Sequence, residues 1–343
     1  EQMRAVSGFV TLASVEDLDE GGGRIHASEH CPDVLPMDQR YHRTGNPTGA
    51  RCDVYDHAVN TYGRDPDTGF ARRPLDNEGV QYGLLALTAG TITAEQFLDL
   101  NERIGGFDND GNVVASRSSA DIVGTRQAYR AGLLTSGEGG LAQTPIIDYR
   151  NYLDDAPSGD VHMRYHSFTL RERLLQANGT ADNHVMFVED NRSRGATGSP
   201  ANREALAQMD RWLTALAEDT SADPVIEKIR RAKPADLTDA CWSRGEEPRK
   251  IAEPQARHGS SRCEQMYPSS SFPREVAGGS IANDVIKCQL KPIDAADYTV
   301  TFTPDDISRL KGIFASGVCD WSKPGVEQQK MTGTWLRFDG SGQ

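Results

Sequence analysis

Asp154, Asp155, Asp160 and His162 stand close together just past a short apolar run, Thr144-Pro-Ile-Ile-Asp-Tyr149. Aspartate and histidine so placed are the materials of general-base catalysis. A carboxylate that orients an imidazole lets the second ring nitrogen take a proton from a hydroxyl, which is the logic of the Ser–His–Asp triad. Asp154 and His162 are the candidate catalytic pair, because the turn between them, with Pro157 and Gly159, could fold the two side chains together. The plainer reading makes Asp155 and Asp160 turn or helix-capping residues and His162 a surface residue of the next helix. His184 is the second candidate base. It opens an apolar run, and the amino end of a strand lies at the opposite edge of a parallel sheet from a ligand site, so it reads better as a packed histidine.

The elements that must carry these residues alternate. The run ending at Tyr149 reads as a strand, and a helical pattern through Leu170, Leu174 and Leu175 follows and stops at Asn178-Gly179. His184 to Val188 reads as a second strand and Pro200 to Ala217 as a second helix, whose Met209, Trp212 and Leu213 are expected in the core. Strands and helices in this order imply an α/β fold, a parallel sheet flanked by helices, with ligands at the carboxyl ends of the strands. Before this core, the sequence predicts helices over Asn77–Ala89, from the Thr93 capping pattern through Ile104, and over Ala120–Leu134. Residues 233 to 300 show little periodicity, and a late helix begins at Thr303-Pro304.

The composition excludes several roles. The chain has 343 residues, enough for a sizeable core, and a net charge of −13, which argues against nucleic acid or an anionic membrane as partners. No apolar run approaches the ~20 residues of a membrane span. Six cysteines lie outside the strand–helix core in Pro-, Gly- and Ser-rich segments. Sequence alone does not fix their connectivity. The local pairs 31–52, 241–263 and 288–319 are expected, since each would close an irregular segment that lacks a core of its own. Paired cysteines imply an oxidising compartment, periplasmic or secreted.

Other motifs carry less. Gly278-Gly-Ser280-Ile-Ala282 is the nearest approach to a Gly-x-Ser-x-Gly elbow and reads as a loop. Asp108, Asp110 and Asn112 match the first ligand positions of a calcium loop, but Val113 stands where that loop needs Gly and Ser119 where it needs Glu, so an Asx-rich turn is expected. Arg72-Arg73 and Arg230-Arg231 read as solvated pairs. No spacing calls for a cofactor or a metal.

Several segments resemble one family: Asn46-Pro-Thr-Gly-Ala-Arg-Cys52, Arg72-Arg-Pro-Leu-Asp-Asn-Glu-Gly-Val-Gln-Tyr-Gly83 and Asp99-Leu-Asn-Glu-Arg-Ile-Gly-Gly106. Asp284-Val-Ile-Lys-Cys-Gln-Leu-Lys-Pro292 and Gly317-Val-Cys-Asp-Trp-Ser-Lys-Pro324 belong with them. Together they resemble a large, mostly uncharacterised family of bacterial secreted α/β-hydrolases, distantly similar to tannases, feruloyl esterases and hydroxybutyrate-oligomer hydrolases. The resemblance implies that this chain is the C-terminal part of an α/β-hydrolase sheet. It places Asp154 at the acidic triad position and His184 to Val188 as the last strand. The family's histidine usually follows that strand, and Glu189-Asp-Asn-Arg-Ser-Arg194 holds none, which leaves His162 first and His184 second. The expected organisation is a loop-rich lid over 1–106, the strand–helix core over 107–232 and a disulfide-rich extension over 233–343. The expected function is one part of a secreted serine-type esterase, with the nucleophile supplied by a second polypeptide. The alternative is a non-catalytic binding or structural subunit with a hydrolase-like fold.

Overall fold

The structure, a computed structural model, describes residues 1–14, 23–190 and 198–333. Its contacts divide the chain into two units, one of residues 1–8, 16–134 and 272–343, the other of residues 9–15 and 135–271.

The second unit holds the sheet. Strands β1 (Ile146–Asn151), β2 (His184–Glu189), β3 (Ala240–Trp242) and β4 (Lys250–Ala252) lie in the order β1-β2-β3-β4. The first three are parallel, with Ile146 opposite His184 and Phe187 opposite Ala240; β4 returns antiparallel to β3. Helices α1 (Tyr165–Asn178), α2 (Pro200–Glu218), α3 (Val225–Ala232) and α4 (Arg262–Met266) complete the unit. The boundaries follow local chemistry. Gly179 takes the left-handed conformation that ends α1, and Ser199 caps α2 by accepting from the Asn202 amide, with proline in the first turn.

Side chains alternate across β2 as strand geometry requires. Val185 and Phe187 join a cluster with Trp212, Ile229, Leu237 and Trp242, while Val188 packs with Tyr152, Cys241, Cys263 and Tyr267. Trp212 is fully buried, and its indole N–H donates to the Ile229 carbonyl at 2.9 Å. Leu213, expected beside it in the core, is exposed. Strand β3 lies in the stretch expected to be irregular. A strand of three residues is too short to show a period, so the sheet gains a third parallel member that the pattern did not reveal.

The larger unit is helical and loop-rich. Helices Ala94–Arg103 and Pro304–Ile313 both begin with capping boxes, from Thr93 and Thr303, and they bury Phe97, Leu98 and Leu310 together with Phe314 and Leu87. The helix expected over 77–89 is confined to Leu84–Thr88. Gly79 and Gly83 upstream have φ of +75° and +78°, and a Cβ on Gly79 would sit 2.3 Å from Leu290, so the chain turns there instead of coiling. Arg72 and Arg73 are not solvated: Arg72 pairs with Asp121 at 2.7 Å and Arg73 with buried Asp53 at 3.0 Å. All three expected disulfides are formed, Cys31–Cys52, Cys241–Cys263 and Cys288–Cys319.

Asp239, just before β3, ties the sheet to a helix. Its carboxylate takes two hydrogen bonds from Arg171 of α1, at 2.6 and 2.8 Å, and accepts from the amides of Met186 and Gln255. Burial alone would raise its pKa, but these donors outweigh burial and hold it below 3.8. A carboxyl whose folded pKa is lowered stabilises the fold above its unfolded value and loses that contribution as pH falls through the folded one. Asp239→Asn should therefore cost about 3 kcal/mol at neutral pH, and clearly less near pH 3. Urea unfolding at both pH values checks this, and an equal loss at both would contradict it.

Candidate functional site

Past the carboxyl end of β1 the chain goes inward before it turns out. Tyr152, Leu153 and Asp154 are buried, and the Tyr152 hydroxyl donates to the Pro268 carbonyl at 2.8 Å. Asp154 accepts from two backbone amides, Arg164 at 2.7 Å and Ser270 at 2.9 Å. Burial pushes its carboxyl pKa up, and the two amides pull against that shift. Arg164 is the N-cap residue of α1, so Asp154 also places its charge at the positive end of that helix. Both carboxylate oxygens are thus committed to the backbone, and Asp154 does not meet His162.

The carboxylate on His162 is Asp160. One oxygen of Asp160 accepts from the His162 amide at 2.7 Å and contacts Nδ1 of its ring at 2.6 Å. Nδ1 is therefore assigned the proton, and Nε2 is left as the basic nitrogen. The Asp160 side chain is 8% exposed and that of His162 61%, so a sheltered acid holds an imidazole that solvent and substrate can reach. The turn before them is tight. Gly159 has φ +76°, and a Cβ there would meet the Ala13 carbonyl oxygen at 2.2 Å. The Asp160 amide donates to the hydroxyl of buried Ser14 at 3.3 Å.

Arg164 fixes the other end of this loop. Its guanidinium is buried, donates to Glu264 at 2.5 Å, to Gln255 and to the Tyr267 carbonyl, and lies 5.1 Å from the Phe168 ring. Glu264 follows Cys263, whose bridge to Cys241 anchors it to β3. The loop that presents His162 is therefore attached to the sheet at both ends.

Other groups gather at the carboxyl ends of the strands. Arg244, just past β3, pairs with Asp155 at 3.3 Å and Asp190 at 3.0 Å and lies over the rings of Tyr267 and Tyr152. Asp155 is thus a bridging residue and not a solvated turn. Buried Glu189 accepts from the hydroxyls of Tyr149, at 2.5 Å, and Ser199. Asn191 to Arg194, where the family's histidine was sought, lie outside the described residues.

His184 stands apart, at the amino end of β2. It is buried, its Nδ1 accepts from Arg171 at 3.2 Å, and its Nε2 is 3.5 Å from Asp148. Ser280 lies in a turn, where its hydroxyl accepts from the Ala282 amide. Asp108 and Asp110 serve a hydrogen-bonded turn: Asp108 accepts from the amides of Asp110 and Asn112, and Asp110 pairs with Arg51 at 2.9 Å. Among the described residues no group of three or more His, Cys, Asp or Glu side chains is arranged to hold a metal ion.

Sequence reasoning passed over Asp160 as the partner of the histidine. The signal was present in the Asp-x-His spacing, which lets one carboxylate oxygen reach both the amide and the ring two residues on. Arg164 and Arg244 gave no local signal, because their partners lie far away in sequence.

The sequence model of a tannase-like family of unknown function (DUF6351) matches residues 1–330. No curated protein and no solved structure matches the chain.

Breaking the Arg164–Glu264 contact leaves a buried guanidinium without its carboxylate. Glu264→Ala should cost about 3–5 kcal/mol. It should also make the Asp154–Arg164 loop the first site of limited proteolysis, as read by mass spectrometry of the fragments. A variant that is as stable and as resistant as the parent would contradict this frame.

Proposed function

The chain belongs to this tannase-like family, and from that premise we propose that it carries the general base of a serine-type ester hydrolase with an α/β-hydrolase sheet. The observation that supports the reading most is the 2.6 Å contact between Asp160 and Nδ1 of an exposed His162, just beyond the carboxyl end of a parallel strand. In this reading Asp160 keeps the proton on Nδ1 and stabilises the imidazolium that forms. Nε2 takes the proton of a serine hydroxyl as its oxygen attacks the ester carbonyl. The same nitrogen returns that proton to the departing alcohol, and water then clears the acyl group by the same route. Asp154, the acid expected from the sequence, shapes the loop, and Asp160 orients the base.

The nucleophile and the oxyanion donors come, in this proposal, from a polypeptide segment that adds to β1. That strand has one neighbour among the described strands. Its Ile146 amide and the Tyr152 amide just beyond it donate toward β2. In a parallel ladder the intervening amides, of Ile147, Tyr149 and Asn151, then face away from β2. Such an edge is suited to pairing with another strand. Three disulfides suit a secreted or periplasmic enzyme, and no helix among the described residues is long and apolar enough to cross a membrane.

The test is turnover of p-nitrophenyl acetate by the assembled enzyme. His162→Ala and Asp160→Asn should each lower kcat by ~10³-fold or more, as loss of a triad member does. His184→Gln should change stability and leave kcat within a few-fold. A folded His162→Ala enzyme with near-parental turnover would overturn the assignment.

A further inference from the structure

Strand β1 and helix α2 are both incompletely covered. Every residue of β2 is buried, as a parallel strand between two layers should be, whereas every residue of β1 is half-buried. Ile147 and Tyr149 pack under α2 in the cluster of Val185, Phe187 and Trp212, yet part of their surface stays exposed.

Helix α2 shows on which side the cover is missing. Ala201, Gln208 and Trp212 form its buried stripe. One flank of the stripe is polar and occupied: Glu204 pairs with Lys250 of β4 at 2.7 Å, and Arg211 pairs with Asp236, just before β3, at 2.9 Å. That flank is turned toward the β3–β4 end of the sheet. At 3.6 residues per turn, Leu206 and Leu213 lie about 160° around the helix from it, with Met209 between them and the buried stripe. They are therefore turned toward the β1 end, and they are 66% and 49% exposed.

We propose that the segment that adds to β1 is a strand–helix unit, whose helix packs on Leu206, Met209 and Leu213. The proposal rests on the reading above that a segment pairs with this edge, and it adds the layer over that strand. The two surfaces set the chemistry of the partner. Its strand alternates, apolar where it continues the Ile147–Tyr149 face and polar where it continues the Asp148–Arg150 face. Its helix carries apolar side chains three and four residues apart, to meet two leucines at a spacing of seven. An added strand without a helix would leave both leucines in water.

Photocross-linking of the assembled enzyme, with p-benzoylphenylalanine in place of Leu213, tests this. Mass spectrometry should find position 213 joined to a peptide outside residues 1–343 whose apolar residues recur every three or four positions. A cross-link to α2 of a second copy, a cross-link to the larger unit, or no cross-link would overturn the proposal. Leu206→Glu combined with Leu213→Glu should weaken assembly ~tenfold or more in sedimentation, because both charges would be buried against apolar side chains. Ala207→Glu places the same charge at an exposed position elsewhere on the helix and should leave assembly unchanged. Assembly weakened equally by both changes, or by neither, would also overturn it. Neither readout depends on turnover, so an unaffected His162→Ala enzyme would remove the hydrolase reading and leave this proposal standing.

Discussion

The buried Arg164 guanidinium is the constraint on which the carboxyl end of the sheet depends. It must be satisfied where water cannot reach it, so Gln255 from one stretch of chain and Glu264 and the Tyr267 carbonyl from another converge on it. Its own backbone amide is taken by Asp154, which fixes where α1 begins and where the β1 loop ends. A buried ion pair need add little net stability, since desolvation offsets much of the attraction. What it imposes is geometry. Any arrangement that pulls one partner away leaves a bare charge in the interior, so the loop has one acceptable course.

That course separates two histidines that composition cannot tell apart. His184 is sealed at the amino end of β2, between Arg171 and Asp148. His162 stands on the far side of the loop with its ring in solvent and one nitrogen held by Asp160. The difference in burial is what the proposed function draws on, since a base must reach its substrate. Asp154 and Asp160 divide in a similar way. The first has both oxygens on backbone amides, while the second has one oxygen on an imidazole, the contact on which the proposed function rests.

Much of this was legible in the sequence. The strands at Ile146 and His184, the helix stop at Gly179 and the start of α2 at Ser199-Pro200 follow from period, capping and glycine, and they emerged close to where expected. Strand β3 did not, because three residues carry no period and its membership is decided by pairing with β2. The stretch over 77–83 read as helix because its apolar spacing suits one; the left-handed glycines decide otherwise. The candidate site was half legible. That His162 lies past the carboxyl end of a strand could be read from the order of elements, but which carboxylate contacts its ring depends on where Arg164 and Ser270 place their amides, which is a tertiary fact.

The central claim is that Asp160 holds the proton on Nδ1 of His162, so that Nε2 is the nitrogen that acts as the base. Nitrogen NMR of histidine-labelled protein, with His162 assigned by its loss in a His162→Gln variant, reads this directly. At mildly alkaline pH the account predicts a protonated Nδ1 and a bare Nε2, with the preference lost in Asp160→Asn. A proton resident on Nε2, or a tautomer mixture indifferent to the Asp160 substitution, would contradict it.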